Sequence, residues 1–140
     1  MDVYADKDWQ SFGTVKEDGN LYADGTWNFN TNDRGRVCQA TGTNSTVGNY
    51  YTIKADPSCP FPSGNLGQLV MKSGNTVTGY GICFALKAGQ SLELRINDGD
   101  ISDNAGSLQL RFVPSSVSQA IHDRVNYDSA GAAGEYWIQG

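Results

Sequence analysis

Five oxygen-rich side chains fall between residues 97 and 104: Asn97, Asp98, Asp100, Asp103 and Asn104. Carboxylates packed this densely repel one another unless a counter-ion sits among them. A hard cation such as Ca²⁺ takes about six to eight oxygens from carboxylates, amides and backbone carbonyls. A loop of Asp, Asn and Gly supplies all three kinds. The spacing is not that of an EF-hand, because no Glu closes the loop. The same residue types are also favoured in ordinary turns. Local composition therefore leaves two readings open, a cation site and a plain turn.

Other chemistries are less well provided for. Glycosidases use two placed carboxylates, and Asp98 and Asp103 imitate such a pair. They share one short loop, however, and a bound Ca²⁺ would hold both ionised. The only histidine, His122, stands near the carboxyl end, so no Ser/His or Cys/His arrangement for nucleophilic attack is available. The chain reads as a binding protein, not an enzyme. Its net charge of -5 opposes contact with nucleic acid, whose phosphates need a basic surface. No apolar run approaches a membrane span, so membrane insertion is not expected.

The cysteines number three, an odd count. Cys38 and Cys59 lie in polar surroundings rich in Gly, Pro and Asn. Cys83 lies within the apolar run GICFAL. The simplest pairing is a Cys38–Cys59 disulfide with Cys83 a buried thiol. Such a staple over a loop of ~20 residues would add about 3 kcal/mol. With no Cys-x-x-Cys or Cys/His cluster, zinc is not expected.

The elements that must position the acidic loop are strands. Leu92, Leu94 and Ile96 alternate with Glu93, Arg95 and Asn97 before it. Leu108, Leu110 and Phe112 alternate with Gln109 and Arg111 after it. A period of two marks half-buried strands. Strands are expected near 68–72, 80–86, 91–97 and 107–113. Asp18-Gly19, Asp24-Gly25 and Ala88-Gly89 read as turns. Many short strands between turns predict an all-β sandwich or jelly roll.

The length suits one domain, taken as residues 1–113. Residues 114–140 read as a tail: a short helix capped by Ser116, a linker, or an added strand. The segment 30–66 is the least regular and reads as a binding loop or a solvated spacer. Within it, Tyr50, Tyr51, Pro60 and Phe61 offer surfaces on which a sugar face would stack. Packing is their competing use. Trp9 and Trp27 are expected in the core. Arg34 and Arg36 read as solvated loop residues.

Four stretches stand in a telling order: DWQSFGTV, ADGTWNFN, GQLVMKSGN and INDGDISDNAGSL. In this order the chain resembles the LecA-like (PA-IL-like) family of calcium-dependent galactose-binding lectins over roughly residues 3 to 113. The most specific part is Asn97, Asp98, Asp103, Asn104, Gly106 and Ser107, followed by Gly67 to Lys72. The resemblance implies a jelly-roll-type, galactose-binding-domain-like β-sandwich with one Ca²⁺ that touches sugar hydroxyls directly. By position, Asp98, Asp103 and Asn104 would supply side-chain ligands. Asp100 and Asn30 would supply backbone carbonyls. The sugar-facing set would be Asp98, Gly99, Asp103, Asp56 and Tyr51.

This chain departs from the family pattern twice. The loop between Asp98 and Asp103 is about two residues shorter than in the best-known members. The long loop also lacks the His-Pro and Gln that contact galactose there, with Asp56-Pro57 in the corresponding region. The implied function is a Ca²⁺-dependent carbohydrate-binding module, for galactose or another glycan. It would be extracellular or at the cell surface, as part of a larger protein. The alternative is a Ca²⁺-stabilised structural domain of an adhesin or assembly without sugar binding. No signal peptide opens the chain, and the oligomeric state stays open.

Overall fold

The computed structural model describes residues 1–32, 36–43 and 53–116, together with the backbone of 137–138. The expected helix after Ser116, His122, Arg34, Tyr50 and Tyr51 lie outside the described residues.

The described residues form strands and loops without a helix, in two antiparallel sheets. The strands are β1 (Asp2–Tyr4), β2 (Gln10–Val15), β3 (Gly19–Asp24), β4 (Trp27–Asn28), β5 (Val37–Cys38), β6 (Leu69–Ser73), β7 (Thr76–Gly79), β8 (Phe84–Leu86), β9 (Ser91–Ile96), β10 (Ala105–Pro114) and β11 (Trp137–Ile138). One sheet runs β5-β4-β10-β3-β8, with β1 also paired to β10. The other runs β11-β2-β9-β6-β7. In the tail, β11 pairs with β2: Trp137 is opposite Val15, and Ile138 is opposite Thr14.

The alternation places the core as expected. Leu92, Leu94 and Ile96 of β9 and Leu108, Leu110 and Phe112 of β10 all point inward, each at most 2 % exposed. They join Leu69 and Met71 of β6, Leu21 of β3 and Trp27 of β4 in one apolar layer between the sheets. Burying one such side chain contributes roughly 1.5–3 kcal/mol, so the two flanking strands are anchored firmly. Asp24-Gly25 turns β3 into β4, with Gly25 at φ +101°, a conformation that a Cβ would strain.

Two expectations about the apolar and aromatic residues change. The run 80–86 is not one strand: β7 ends at Gly79, and β8 begins only at Phe84. Between them Ile82 is 86 % exposed, so an apolar run here does not mean burial. Trp9 is only half-buried and lies outside the core layer, with Lys72 Nζ 4.6 Å from its ring centre. Trp27 is buried as expected, and its indole N–H donates to the Gly67 carbonyl at 2.8 Å.

The cysteines are all thiols. Cys38 lies in the core, its Sγ donating to the Gly67 carbonyl at 3.4 Å. Burial pushes its pKa up to about 12, so the thiol stays protonated. Cys59 belongs to a separate loop and donates to Asp56 Oδ1 at 3.7 Å. The expected Cys38–Cys59 bridge is therefore absent, because the two side chains serve different neighbourhoods. Cys83, expected to be buried, is the most accessible of the three.

Candidate metal and ligand site

The acidic loop is the crossover from one sheet to the other. β9 belongs to the β2-containing sheet and β10 to its partner, and residues 97–104 join them. Three other connections meet it at this end of the sandwich. Asn104 Nδ2 donates to the Ala5 carbonyl at 2.9 Å, tying in the β1–β2 link. Thr31 N–H donates to the Asp103 carbonyl at 2.7 Å, tying in the segment after β4. Asn97 ties in the long β5–β6 connection: its Nδ2 donates to the Phe61 and Asn65 carbonyls, and its Oδ1 accepts from Phe61 N–H, all within 3.0 Å.

Asn97 is fully buried, and both ends of its amide are partnered. The residues that follow are different. Asp98 and Asn104 are buried, at 8 % and 6 % exposure, and Asp103 is half-buried. Asp98 Oδ2, Asp103 Oδ1 and Asn104 Oδ1 are each shielded from solvent with no hydrogen-bond partner. A buried acceptor left unmatched costs about 1–3 kcal/mol, more when charged. Three such atoms in one short loop are an unusual concentration. All three come from the side chains expected to ligate Ca²⁺.

The charge on Asp98 is correspondingly disfavoured. Burial pushes its pKa above the usual carboxylate range, and the charges of Asp103 and Asp100 add to that effect. The Asp100 N–H, which donates to Asp98 Oδ1 at 3.2 Å, and the side-chain amide of Asn104 partly offset it. Asp100 itself is in the opposite state. Its carboxylate accepts from both the N–H and the hydroxyl of Ser102, at 3.1 and 2.6 Å, and these bonds lower its pKa. The Asp100 side chain is thus occupied in its own turn.

A cavity of about 470 Å³ opens at this loop, and Asn104 is not among its described wall residues. Asp98, Asp100, Asp103 and Asn30 line it, so four of the expected residues share one space. Phe29, Ile53, Leu66 and Arg36 complete the described wall. Asn30 is held by its neighbours: its N–H donates to Asn28 Oδ1 at 2.7 Å, and its own Oδ1 accepts from Asn32 N–H at 3.0 Å.

Gly99 and Asp56 are not among the described wall residues. Gly99 is exposed, and a Cβ there would collide with Ser58 Oγ, so the glycine permits close approach of two loops. Asp56 is exposed, and its carboxylate accepts from the Ser58 N–H at 2.9 Å and from the Ser58 hydroxyl. Phe61 lends its backbone to the Asn97 clamp.

Sequence reasoning missed the apolar half of the wall and set Arg36 aside as solvated. The alternation of buried Trp27 and Phe29 was a usable signal for Phe29. Ile53 had no local signal, because Thr43 holds it from across the loop. The Thr43 hydroxyl donates to the Ile53 carbonyl at 2.8 Å and accepts from its N–H at 2.9 Å.

The donor set fits a hard cation. It combines two carboxylates, one amide oxygen and candidate carbonyls, all oxygens of the kind Ca²⁺ prefers. Among the described residues no group of three or more His, Cys, Asp and Glu side chains is placed to hold a metal ion of any kind, so the set here is two carboxylates and an amide and not a carboxylate triad. No protein-family model matches this chain, and no curated protein matches it.

Proposed function

We propose that this domain is a Ca²⁺-dependent carbohydrate-binding module. The observation that supports it most is the trio of shielded, unpartnered oxygens, Asp98 Oδ2, Asp103 Oδ1 and Asn104 Oδ1, two of whose residues, Asp98 and Asp103, line an open cavity. Without a cation these atoms are an unexplained penalty. The order of the four sequence stretches, one of which is the acidic loop itself, supports the same reading, and it brings with it the jelly-roll, galactose-binding-domain-like winding.

Asp98, Asp103 and Asn104 would hold the ion through their side chains, aided by the carbonyls of Asn30 and Asp100. The ion supplies a positive centre at which two neighbouring sugar hydroxyls replace water. The chain's own groups do the rest. The carboxylates of Asp98 and Asp103 accept the hydroxyl protons as charge-assisted hydrogen bonds. Phe29, Ile53 and Leu66 give the apolar surface that a sugar's C–H face needs. Asn97, through its clamp on Phe61 and Asn65, keeps the long loop beside the cavity. Nothing in this scheme transfers a bond, so the activity is recognition, not catalysis. A module of this kind belongs outside the cell or on its surface, within a larger protein.

A glycan array probed with Ca²⁺ and again with chelator tests the reading. Chelator-sensitive glycan binding is the expected result. Ca²⁺ binding without any glycan signal would leave the ion with a purely structural role, as in a stiffened adhesin domain. Chelator-insensitive glycan binding would overturn the role of the ion.

A further inference from the structure

Arg95 stands on the outward side of β9, where a long cation would ordinarily extend into solvent. Its side chain is instead only 12 % exposed. Trp9 covers it, with the guanidinium carbon 5.7 Å from the ring centre. Every arm of the guanidinium is committed. Nη1 donates to Asp8 Oδ1 at 2.7 Å. Nε donates to the Ile96 carbonyl at 2.9 Å, and Nη2 to the Asp98 carbonyl at 2.7 Å. One planar group therefore spans the last residue of the strand and the first carboxylate of the acidic loop.

This contact acts on the backbone at the point where the orientation of Asp98 is set. Asn97 is held from one side by the long loop. The carbonyl of Asp98 is held from the outer face by Arg95. With both positions pinned, the Asp98 side chain lies against the cavity, where its Oδ2 has no protein partner. The Asp98 carbonyl, already an acceptor for Arg95, is turned to another task. Asp8 in turn fixes the guanidinium, since its Oδ1 also accepts from Trp9 N–H at 2.7 Å.

We infer that Arg95 is a positioning residue for the cation site, a strut that runs from Asp8 and Trp9 on the outer face of the sheet to the Asp98 backbone. The inference rests on the proposed ion site and adds a residue that never touches the ion. Outer groups that orient metal ligands are commonly worth about 10–100-fold in affinity. The fork geometry is what matters: a lysine keeps the charge but cannot reach three acceptors in one plane.

The test is calorimetric titration with Ca²⁺ of the wild type, Arg95→Lys, Arg95→Gln and Asp8→Asn, with melting in chelator measured for each. Both Arg95 variants should bind Ca²⁺ about tenfold more weakly, with lysine giving no rescue. Asp8→Asn, which leaves both carbonyl contacts in place, should weaken binding about two- to threefold, since it loosens the strut without removing it. A staple that serves only the fold would lower melting in chelator and leave the Ca²⁺ affinity unchanged, and that result overturns the inference. Rescue by lysine also overturns it, because charge alone would then suffice. If the Arg95 variants do not fold, unchanged affinity in Asp8→Asn, altered at a site that is 72 % exposed, is the overturning result. A wild type with no Ca²⁺ affinity would overturn the ion site itself, a distinct outcome from equal affinity across the series.

Discussion

Two loops lie against each other at one end of the sandwich, and their aspartates do not share one fate. In the 53–66 loop, Asp56 is exposed and accepts from Ser58 two residues on. In the 97–104 loop, Asp100 does the same with Ser102. Both carboxylates are satisfied locally, and both have lowered pKa values, chiefly from those serine hydroxyls. Asp98, only two residues before Asp100, is buried, has one oxygen unpartnered, and has a raised pKa. The difference lies in burial and partnership, not in residue type. An aspartate that completes its own turn has no need of a ligand. One whose oxygen is shielded and unmatched carries a cost that a bound cation would relieve.

Asn97 sharpens the contrast from the other side. It is as buried as Asp98, yet both its amide oxygen and its amide nitrogen are partnered. Asn97→Ala should therefore be the most damaging change at the site. It would leave Phe61 N–H without a partner and remove one of the two donors from each of the Phe61 and Asn65 carbonyls, which keep the Gly64 and Gln68 N–H. The three lost hydrogen bonds should cost about 3 kcal/mol of stability. Denaturant unfolding with and without Ca²⁺ should show this loss in both conditions.

Asp98→Ala comes next and should act differently. The wild type should gain about 2.7 kcal/mol at a hundredfold excess of Ca²⁺ over Kd, and the variant should gain nothing. Thermal melting with added Ca²⁺ or chelator measures the gap. Equal gains in the two proteins would remove Asp98 from the site.

Asp98→Asn in chelator should have a smaller effect, of opposite sign. The raised pKa means that the ion-free fold holds the proton more tightly than the unfolded chain does. That stabilising contribution is complete below the ordinary carboxylate pKa and is lost as pH rises through the raised folded value. Asparagine removes the buried charge, so the variant should melt a few degrees above the wild type at neutral pH, roughly 1 kcal/mol. The gap should close toward acid. Ca²⁺ affinity of the wild type should fall over the same interval, as protons compete for Asp98. A variant no more stable than the wild type in chelator would mean that Asp98 carries no such penalty.

The smallest effects belong to the satisfied groups. Asp56→Ala should leave the Ca²⁺-induced shift in melting unchanged, because its carboxylate faces Ser58. The thiols offer a separate check of the fold. In the native protein a thiol reagent should modify Cys83 first and spare Cys38, and after denaturation without reductant it should count three. A count of one would restore the Cys38–Cys59 bridge.

The strands that flank the site were legible in the residues themselves. Alternation of Leu92, Leu94 and Ile96, and of Leu108, Leu110 and Phe112, forces each strand to present one apolar face, whatever lies far away in the chain. The acidic residues of the loop were legible too, because a cluster of hard oxygens is a local property. Local pattern failed where burial depends on what arrives from elsewhere. Ile82 sits in an apolar run yet finds no cover. Trp9 covers Arg95 instead of filling the core. Cys38 and Cys59 face different neighbours.

The amino-acid sequence alone determined an all-β chain with a carboxylate-rich loop between two half-buried strands, since period and composition need no partner to be read. Only the tertiary structure decided which oxygens of that loop are orphaned, which are spent in turns, and which distant groups hold them. Hydrogen-bond satisfaction is a property of the packed whole: the partners of Asn97, Asn104 and Arg95 stand 36, 99 and 87 residues away along the chain.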